Sequence, residues 1–389
     1  MVDNSVTSGL SLYYYETITE DVGSDFSDDI FPYGDGFSRY SEQSVFVDMD
    51  RGNVEEVDMH KTFSDRVYQV ISTIEDLYER FDDDKIAVMW SGGIDSTIML
   101  YLASKVASLN GYKQPSCIFM DHVVHVGEDD MIYEWSEKLG FDVVYAENEA
   151  ITEYAVENDL ERYDPVPYSV LGENGTQIVE DSTSEAWGHE RGLENIGEDE
   201  FPLDVVHHIS NQVMKTYPRN RALFQGGYQC ALKGHRWTDE RVSVCSSLEH
   251  TISNTEKYGG SEDGNDVIVS HPVSHFIEED IWRLFWRCIV PNLVSGYPEN
   301  FIPEEKSQLP EGVSEDDIPL MENYWNGLIP EEERVYADER IPYGKAGDKP
   351  TWYRSLDIED NREIGLSKRD QGTVDYIRAL PTDGMFILD

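Results

Sequence analysis

The chain has 389 residues, a length that fits two or three domains or one large domain with extensions. Hydrophobic residues make up 39% of it and aromatic residues 12%, with 23 Tyr and 8 Trp, which excludes a disordered acidic tract. The 78 Asp and Glu against 30 Lys and Arg give a formal net charge of −48, which disfavours nucleic acid and anionic membranes as partners. The excess of acids is typical of a solvated surface suited to very high salt, where screening over about 3 Å at 1 M removes self-repulsion.

Cysteine spacing and hydropathy limit the class of protein further. The four cysteines form no C-x-x-C pair, so they indicate buried reduced thiols rather than a zinc ribbon or an iron–sulfur site; they are Cys117, Cys230, Cys245 and Cys288. The N-terminus lacks a basic segment followed by an apolar core, and nowhere do 18 apolar residues run together. We therefore expect a soluble cytoplasmic protein that does not associate with membranes. The sequence predicts nothing about its oligomeric state.

Regular periodicity begins after residue 60. Residues 1–60 have no sustained period and predict an N-terminal extension. Apolar residues then recur at helical spacing from Phe63 to Tyr78, and Thr62 or Ser64 is a candidate cap for that helix. The apolar run KIAVMW at 85–90 predicts a strand buried on both faces.

The next segments repeat this order of strand and helix. A glycine-containing turn after Trp90 leads into a predicted helix that reaches Leu109. CIFM at 117–120 predicts a second strand, the residues 131–139 a helix, and FDVVYA at 141–146 a third strand. The order βαβαβ predicts an α/β fold with a doubly wound, mostly parallel sheet.

The remaining residues predict fewer elements. The polar, glycine-rich residues 171–200 predict a mobile insertion, and residues 205–214 a helix. ALFQG at 222–226 and VIVSHPV at 267–273 predict further strands, and residues 278–289 a helix that ends near Pro291. Residues 301–389 predict a C-terminal appendage, which leaves residues 61–300 as the main α/β domain.

The strongest chemical signal is the string SGGIDS between the first buried strand and its helix. The backbone at Gly92 and Gly93 can approach a ligand closely, and the N–H groups from Gly92 through Ile94 into the first helical turn point outward. The hydroxyls of Ser91 and Ser96 add donors, so the turn suits a phosphate or pyrophosphate. It lacks the Lys of a Walker-type loop. Asp95 suits either backbone N–H groups or Mg²⁺, and a plain Ser/Gly turn before a helix cap is the alternative interpretation.

SGGIDS after a buried strand resembles the PP-loop of the ATP pyrophosphatase, or adenine nucleotide alpha hydrolase, superfamily. The resemblance implies that an acceptor attacks the α-phosphorus of ATP while the loop holds the departing pyrophosphate. It also implies an adenylylated acceptor as the intermediate. ATP, or a related adenine nucleotide, and Mg²⁺ are the cofactors that it predicts.

Three further segments resemble the phosphoadenosine phosphosulfate (PAPS) reductase family. Met120 and Asp121 end the second predicted strand, where backbone groups of a parallel sheet commonly contact adenine. The nearby His122 and His125 suggest either a metal site or hydrogen-bonded surface groups.

The segment KGHRWTDER at 233–241 resembles the family's Gly-x-Arg segment. Its candidate anion-binding residues are Lys233, Gly234, Arg236 and Arg241. Ion pairs between these cations and neighbouring Asp and Glu are the alternative.

A third segment, from His271 to Trp282, matches the family's Pro, acidic run and final Trp, with Phe276 and Ile277 in place of the usual Trp and Thr. This motif is chiefly structural, because acids in a first helical turn favour the helix dipole. The chain departs from the reductases in having no cysteine after Cys288, so thiolate-based reduction is disfavoured.

Together these features predict a PP-loop enzyme that performs α-phosphate chemistry on an unknown small-molecule acceptor. The resemblance implies that the SGGIDS turn holds the β,γ-phosphates, that Asp95 assists Mg²⁺, and that Arg236 and Arg241 bind the acceptor or the α-phosphate. Such catalysis rests on positioning and charge stabilisation. Two alternatives stay open: a non-catalytic adenine-nucleotide-binding module, and an asparagine synthetase-like, amide-forming ligase. Val2, where the glutamine-using form carries Cys, disfavours the latter.

Overall fold

The computed structural model describes a defined part of the chain. The described residues are 45–50, 53–57, 62–120, 132–133, 136–137, 139–160, 164–172, 197, 199–203, 208–236, 249–255, 264–276, 278–294, 296–298, 301, 309–314 and 368–381.

A six-stranded sheet forms the centre of the fold. Its strands are β3 (Ile86–Met89), β4 (Ser116–Met120), β5 (Val143–Ala146), β8 (Cys230–Lys233), β9 (Glu249–Ile252) and β10 (Val267–Ser270). Two small antiparallel pairs lie outside it, β1 (Val45–Asp50) with β2 (Asn53–Val57), and β6 (Pro165–Pro167) with β7 (Glu200–Pro202).

The strand order in the sheet is β5-β4-β3-β8-β10-β9, and every neighbouring pair is parallel except β10 with β9. From β3 the chain adds β4 and β5 on one side, and β8 and β10 then add on the other. The order therefore reverses between β3 and β8, and ligands of open α/β sheets bind at the carboxyl ends of strands at such a point. This arrangement confirms the predicted doubly wound α/β fold.

Helices lie along the chain between these strands. They are α1 (Phe63–Arg80), α2 (Ile94–Asn110), α3 (Glu149–Glu157), α4 (His208–Asn211), α5 (Tyr217–Gln225), α6 (Glu278–Leu284), α7 (Val290–Leu293) and α8 (Lys368–Ala379). Shorter helical turns span Asp83–Lys85, Tyr168–Leu171, Gln212–Thr216, Pro272–His275 and Phe285–Ile289.

Apolar layers cover both faces of the sheet. Ile86 and Val88 of β3 join one core cluster with α1, α2, α6 and α8, while Ala87 and Met89 join a second cluster with Leu223 of α5. The alternation places helices on both faces, which explains why β3 is apolar at every position. Helix α2 is buried over most of its length, so its first turn is held firmly beside the sheet.

Helix α1 begins where the sequence predicts. The hydroxyl of Thr62 accepts a hydrogen bond from the Asp65 N–H, and the Asp65 carboxylate accepts one from the Thr62 N–H. This capping box selects Thr62 rather than Ser64 as the cap.

The predicted strand at 222–226 is wrong. Those residues continue helix α5, in which Leu223 packs against the sheet, because a short apolar run suits a helix as well as a strand. The strand at this point is β8, four residues long, which sequence reasoning missed. The mistake matters because β8 borders the point where the strand order reverses.

The predicted helix at 278–289 is confirmed in outline. A π-helical turn at Phe285–Ile289 leads into α7, and helical structure ends at Leu293, close to Pro291. The described part of the predicted helix at 205–214 begins at His208 and continues in helical form to α5.

The C-terminal helix α8 packs against the main domain. Asp370 accepts hydrogen bonds from the N–H and hydroxyl of Ser64, and the Thr373 hydroxyl donates to the Ser64 hydroxyl. At the other end of α8 the Lys105 ammonium donates to the backbone carbonyls of Arg378 and Leu380. These residues therefore belong to the same core as α1 and α2, while the domain boundaries at 60 and 300 stay predictions.

Most of the predicted insertion at 171–200 lies outside the described residues. Among the helices that are described, none combines the length and the apolar character needed to cross a lipid bilayer.

Candidate active site

The SGGIDS turn lies at the carboxyl end of β3, where the strand order reverses. Ser91, Gly92 and Gly93 connect β3 to α2, Gly92 has φ of 70°, and Gly93 is the helix cap. The Trp90 indole N–H donates to the Thr97 hydroxyl at 3.0 Å, and that hydroxyl donates to the Gly93 carbonyl at 2.9 Å. These bonds brace the turn from its buried side.

The two serines of the turn differ in what their hydroxyls can offer. Ser96 Oγ accepts from the Ser91 N–H at 3.2 Å and donates to the Gly93 carbonyl at 2.9 Å. A hydroxyl has one proton, so the Ser96 hydroxyl cannot also donate to a ligand in this arrangement. Ser91 Oγ lies 3.2 Å from Ser96 Oγ, and because the Ser96 proton goes to the Gly93 carbonyl, Ser91 is the donor in that contact. A phosphate would receive the Ser91 proton by replacing Ser96 Oγ as its acceptor.

Backbone amides at the start of α2 form the second part of the candidate site. The Thr97 N–H donates to the Gly93 carbonyl at 3.0 Å in the manner of an intrahelical bond. The amides of Ile94, Asp95 and Ser96 precede it, where helix geometry supplies no intrahelical acceptor. Such amides favour an anion, and the helix dipole adds to the effect.

Gly234 brings β8 against this helix end. A Cβ at this position would lie 2.7 Å from the backbone C and O of Asp95 and from the Ser96 N. Real side chains do not approach backbone that closely, so glycine is required here by packing. The segment after β8 therefore lies directly beside the turn after β3, as the reversal of strand order predicts.

Arg236 completes the pairing of these two segments. Its Nε lies 2.9 Å from Oδ1 of Asp95, and their side chains are 13% and 9% exposed. The predicted alternative, that a cation of this segment pairs with an acid, thus holds for Arg236. The acid concerned is itself in the turn, so the pair places a guanidinium at the edge of the candidate phosphate site.

This pairing also bears on the predicted Mg²⁺ at Asp95. The charge of the Asp95 carboxylate is compensated by Arg236, and among the described residues no group of three His, Cys, Asp or Glu side chains is arranged to hold a metal ion. Mg²⁺ in nucleotide sites is commonly held by one or two carboxylates with substrate phosphates, so assistance of Mg²⁺ by Asp95 stays a prediction.

The other predicted site residues divide into placed and undescribed ones. Met120 ends β4, next to β3, and Lys233 ends β8, so both lie at the carboxyl edge with the turn. Asp121, Arg241 and the pair His122 and His125 lie outside the described residues.

Three histidines that the sequence did not single out as a group meet at this edge. The His235 and His271 rings stack at 5.6 Å between centroids, and the His250 and His271 rings at 5.3 Å. His271 Nε2 lies 3.3 Å from His250 Nδ1. His235 follows β8, His250 lies in β9 and His271 follows β10. We call these three residues the histidine row.

Two members of the histidine row, His250 and His271, are uncharged at neutral pH. Burial, with Lys233 and then His250 adding to it, lowers the pKa of His271 to about 3. Burial, with Lys233 and then Arg219 adding to it, lowers the pKa of His250 to about 4. No sequence signal revealed the row, because its members are brought together only by the pairing of β9, β10 and β8.

The strand order, with the glycine–serine turn between β3 and α2, is that of a doubly wound α/β fold whose candidate ligand site lies at the carboxyl edge of the sheet.

Comparison with known proteins gives partial matches. No family model matches the chain. It is 35% identical over 74 residues to a glutamine-hydrolysing GMP synthase of Porphyromonas gingivalis, a match that covers 19% of this chain and 14% of that protein. The chain thus aligns with a small fraction of that relative's length.

Solved structures with a similar fold include flavin and sulfonucleotide enzymes. They include the FMN adenylyltransferase of Candida glabrata with FMN and an ATP analogue (TM-score 0.31, 12% identity, 58% of this chain and 56% of that one). The PAPS reductase of Candida auris has a TM-score of 0.27 and 10% identity over 54% of this chain and 81% of that one. Yeast FAD synthetase has a TM-score of 0.31 and 12% identity, and the match covers 78% of this chain and 90% of that one. At these values none of the three informs the activity of this chain.

The described cysteines take no part in the site. Cys117, Cys230 and Cys288 are buried free thiols. Burial raises the pKa of Cys230 and of Cys288 to about 12, so both stay protonated and unreactive. The prediction of buried reduced thiols is confirmed for these three, and Cys245 lies outside the described residues.

Proposed function

We propose that this protein is a PP-loop enzyme that binds ATP, or a related adenine nucleotide, and transfers its adenylyl group to a small-molecule acceptor with release of pyrophosphate. One observation carries the proposal. The amides at the start of α2 and the Arg236 side chain, which pairs with Asp95 of that helix, lie side by side at the carboxyl ends of the neighbouring strands β3 and β8.

The roles of the residues follow from that geometry. The amides of Ile94, Asp95 and Ser96 would hold the β- and γ-phosphates, and the Ser91 hydroxyl would donate to one of their oxygens. Met120 lies at the end of β4, on the side of the turn away from β8, where adenine would contact the strand end.

Arg236 would stabilise the charge that develops between the α-phosphate and the leaving pyrophosphate. Its Nε faces Asp95, so the terminal nitrogens are the part of the guanidinium that would pair with phosphate oxygens. Asp95 is then a positioning residue that aims Arg236. Catalysis of this kind needs fixed charges and fixed distances rather than a covalent nucleophile, in agreement with the protonated cysteines.

The direct test is pyrophosphate release from ATP by the full chain in high salt. We expect the double variant Ser91→Ala and Asp95→Ala to abolish release, because it removes a donor and the partner of Arg236. The matched control is Ser116→Ala with Asp84→Ala, at the amino edge of the same sheet. Equal release by the site variant and the wild-type protein would remove the assignment.

A non-catalytic nucleotide-binding module is the second candidate, since the turn alone suffices for binding. Titration calorimetry with ATP, paired with the pyrophosphate assay, separates the two. Heat of ATP binding without pyrophosphate release, across α-labelled ATP and a panel of acceptors, would favour the module. The same panel, with adenylylated products resolved, identifies the acceptor.

A further inference from the structure

The histidine row continues the candidate active site along the sheet edge, away from β4. His235 lies next to Arg236 in sequence, and the stacking passes from His235 to His271 and then to His250. The row therefore begins beside the crevice assigned to the nucleotide phosphates and ends on the antiparallel strand β9.

Charges around the row are unusual for this chain. Lys233 of β8 acts on both His250 and His271, and Arg219 of α5 acts on His250. Glu249, the neighbour of His250 on β9, pairs with Arg80 at 2.7 Å. In a protein with a formal net charge of −48, the charged side chains that shift the pKa values of the row are cations.

The centre of the row also has hydrogen-bonding capacity that the described structure does not use. His271 is 1% exposed, and no described residue forms a hydrogen bond with its Nδ1. A buried polar atom in that state costs free energy unless a ligand, a water or another group completes it. The cations and this nitrogen favour an oxyanion over a metal ion, since positive neighbours repel a divalent cation.

We propose that the histidine row and Lys233 form an acceptor subsite that binds an oxyanion group and takes up a proton as it does so. An anion beside the row offsets the influence of Lys233 and Arg219 and stabilises an imidazolium. Binding and protonation are then linked, so His250 and His271 are neutral when the subsite is empty, and one of them is charged when it is filled. This inference rests on the proposed function in one respect: the site is an acceptor subsite because the oxyanion group that it binds would belong to the acceptor.

The groups that face the row define its titration. They are Lys233 on β8, Arg219 on α5, Glu249 with Arg80 at the edge, and the histidines themselves. Proton uptake on anion binding distinguishes this subsite from the amides of the PP-loop turn, which bind anions without titrating.

The test is titration calorimetry of the full chain with inorganic phosphate at pH 6, in two buffers of different ionisation enthalpy. The turn is first filled with a non-hydrolysable ATP analogue, so that phosphate cannot occupy it. We expect an enthalpy that differs between the buffers, showing net proton uptake. Sulfate and acetate arms then tell whether a tetrahedral oxyanion or a carboxylate is preferred, and uptake with either one supports the shared chemistry.

Variants assign the binding to the row. His250→Asn changes a partly exposed side chain and avoids the buried centre, and we expect it to weaken phosphate binding about tenfold and to lower proton uptake by at least half. Lys233→Ala should weaken binding by a similar factor, with Lys113→Ala, an exposed lysine beyond α2, as its unchanged control. Phosphate binding without proton uptake, or uptake unchanged in His250→Asn, overturns the subsite.

The outcomes for the subsite and for the proposed function are separable. Pyrophosphate release that depends on Ser91 and Asp95, together with no anion binding at the row, would overturn the subsite and leave the adenylyl-transfer proposal in place. Proton-linked phosphate binding lost in His250→Asn, in a chain that neither binds nor cleaves ATP, would uphold the oxyanion site while removing the proposed function.

Discussion

Two arginine–aspartate pairs in this chain have the same chemistry and different surroundings. Arg66 of α1 donates from Nε and a terminal nitrogen to the Asp280 carboxylate of α6, at 2.5 and 2.8 Å, and both side chains are almost fully buried among the helices. Arg236 and Asp95 meet at 2.9 Å at the edge of the sheet, where their side chains are 13% and 9% exposed.

The Arg66–Asp280 pair joins two helices, whereas the Arg236–Asp95 pair forms part of the candidate site. Arg66 and Asp280 form a bidentate ion pair inside the apolar layer. Removing one charge therefore leaves the other buried without a partner and without water. Arg236 and Asp95 lie between the start of α2 and the end of β8, at the candidate phosphate site. Loss of that pair should change what the site binds more than it changes the free energy of unfolding.

The largest effect is expected from Asp280→Ala. It leaves the buried Arg66 without its bidentate partner, and we expect the free energy of unfolding to fall by about 3–5 kcal/mol in denaturant titrations. The double variant Arg66→Met and Asp280→Leu should recover most of that loss, because it removes both charges. Asp375→Asn on the exposed face of α8 is the control. A double variant no more stable than Asp280→Ala would contradict the account of this pair.

Arg236→Lys tests the second arginine–aspartate pair. We expect pyrophosphate release to fall about 100-fold, because an ammonium cannot replace a guanidinium that faces Asp95 and phosphate oxygens together. The free energy of unfolding should fall by less than it does in Asp280→Ala, since the lysine ammonium keeps a positive charge beside Asp95. Assay and denaturation are measured on the same preparation. Full activity with a large loss of stability would reverse the roles of the two pairs.

Acidification should affect the sheet edge through His271. Its pKa of about 3 in the folded protein lies below the ordinary 6.5, so the unfolded chain binds more protons between these values. Stability contributed by the neutral ring is therefore present above pH 6.5 and is lost as the pH falls towards 3. We expect wild type to lose about 2 kcal/mol more than His271→Asn between pH 7 and pH 5 in urea titrations. Parallel pH profiles for the two proteins would argue against a neutral buried ring.

The smallest effect belongs to a third pair, Arg80 with Glu249, whose side chains are about one third exposed. Arg80→Gln should lower the free energy of unfolding by about 0.5 kcal/mol or less, and 1 M salt should erase even that difference through screening. Thermal denaturation at low and high salt measures it. A loss comparable to that of Asp280→Ala would show that burial does not rank these pairs.

Prediction from the sequence succeeded where one local pattern decides the structure. The capping box at Thr62, the buried strand β3 and the SGGIDS turn each depend on residues within a few positions of one another. It failed at 222–226 because a five-residue apolar run suits either a helix or a strand, and the choice depends on what packs against it. The same ambiguity hid β8, whose apolar residues Cys230 to Leu232 become informative only between β3 and β10.

The site divides in the same way. Periodicity and the glycine–serine turn determined that a glycine-containing turn joins β3 to a helix start, since backbone conformation at that turn is a local property. Only the tertiary structure decided that Gly234 must lack a side chain, that Arg236 pairs with Asp95, and that three histidines stack. Those contacts join residues from separate strands, and the order in which strands pair is set by burial of the whole sheet rather than by any single segment.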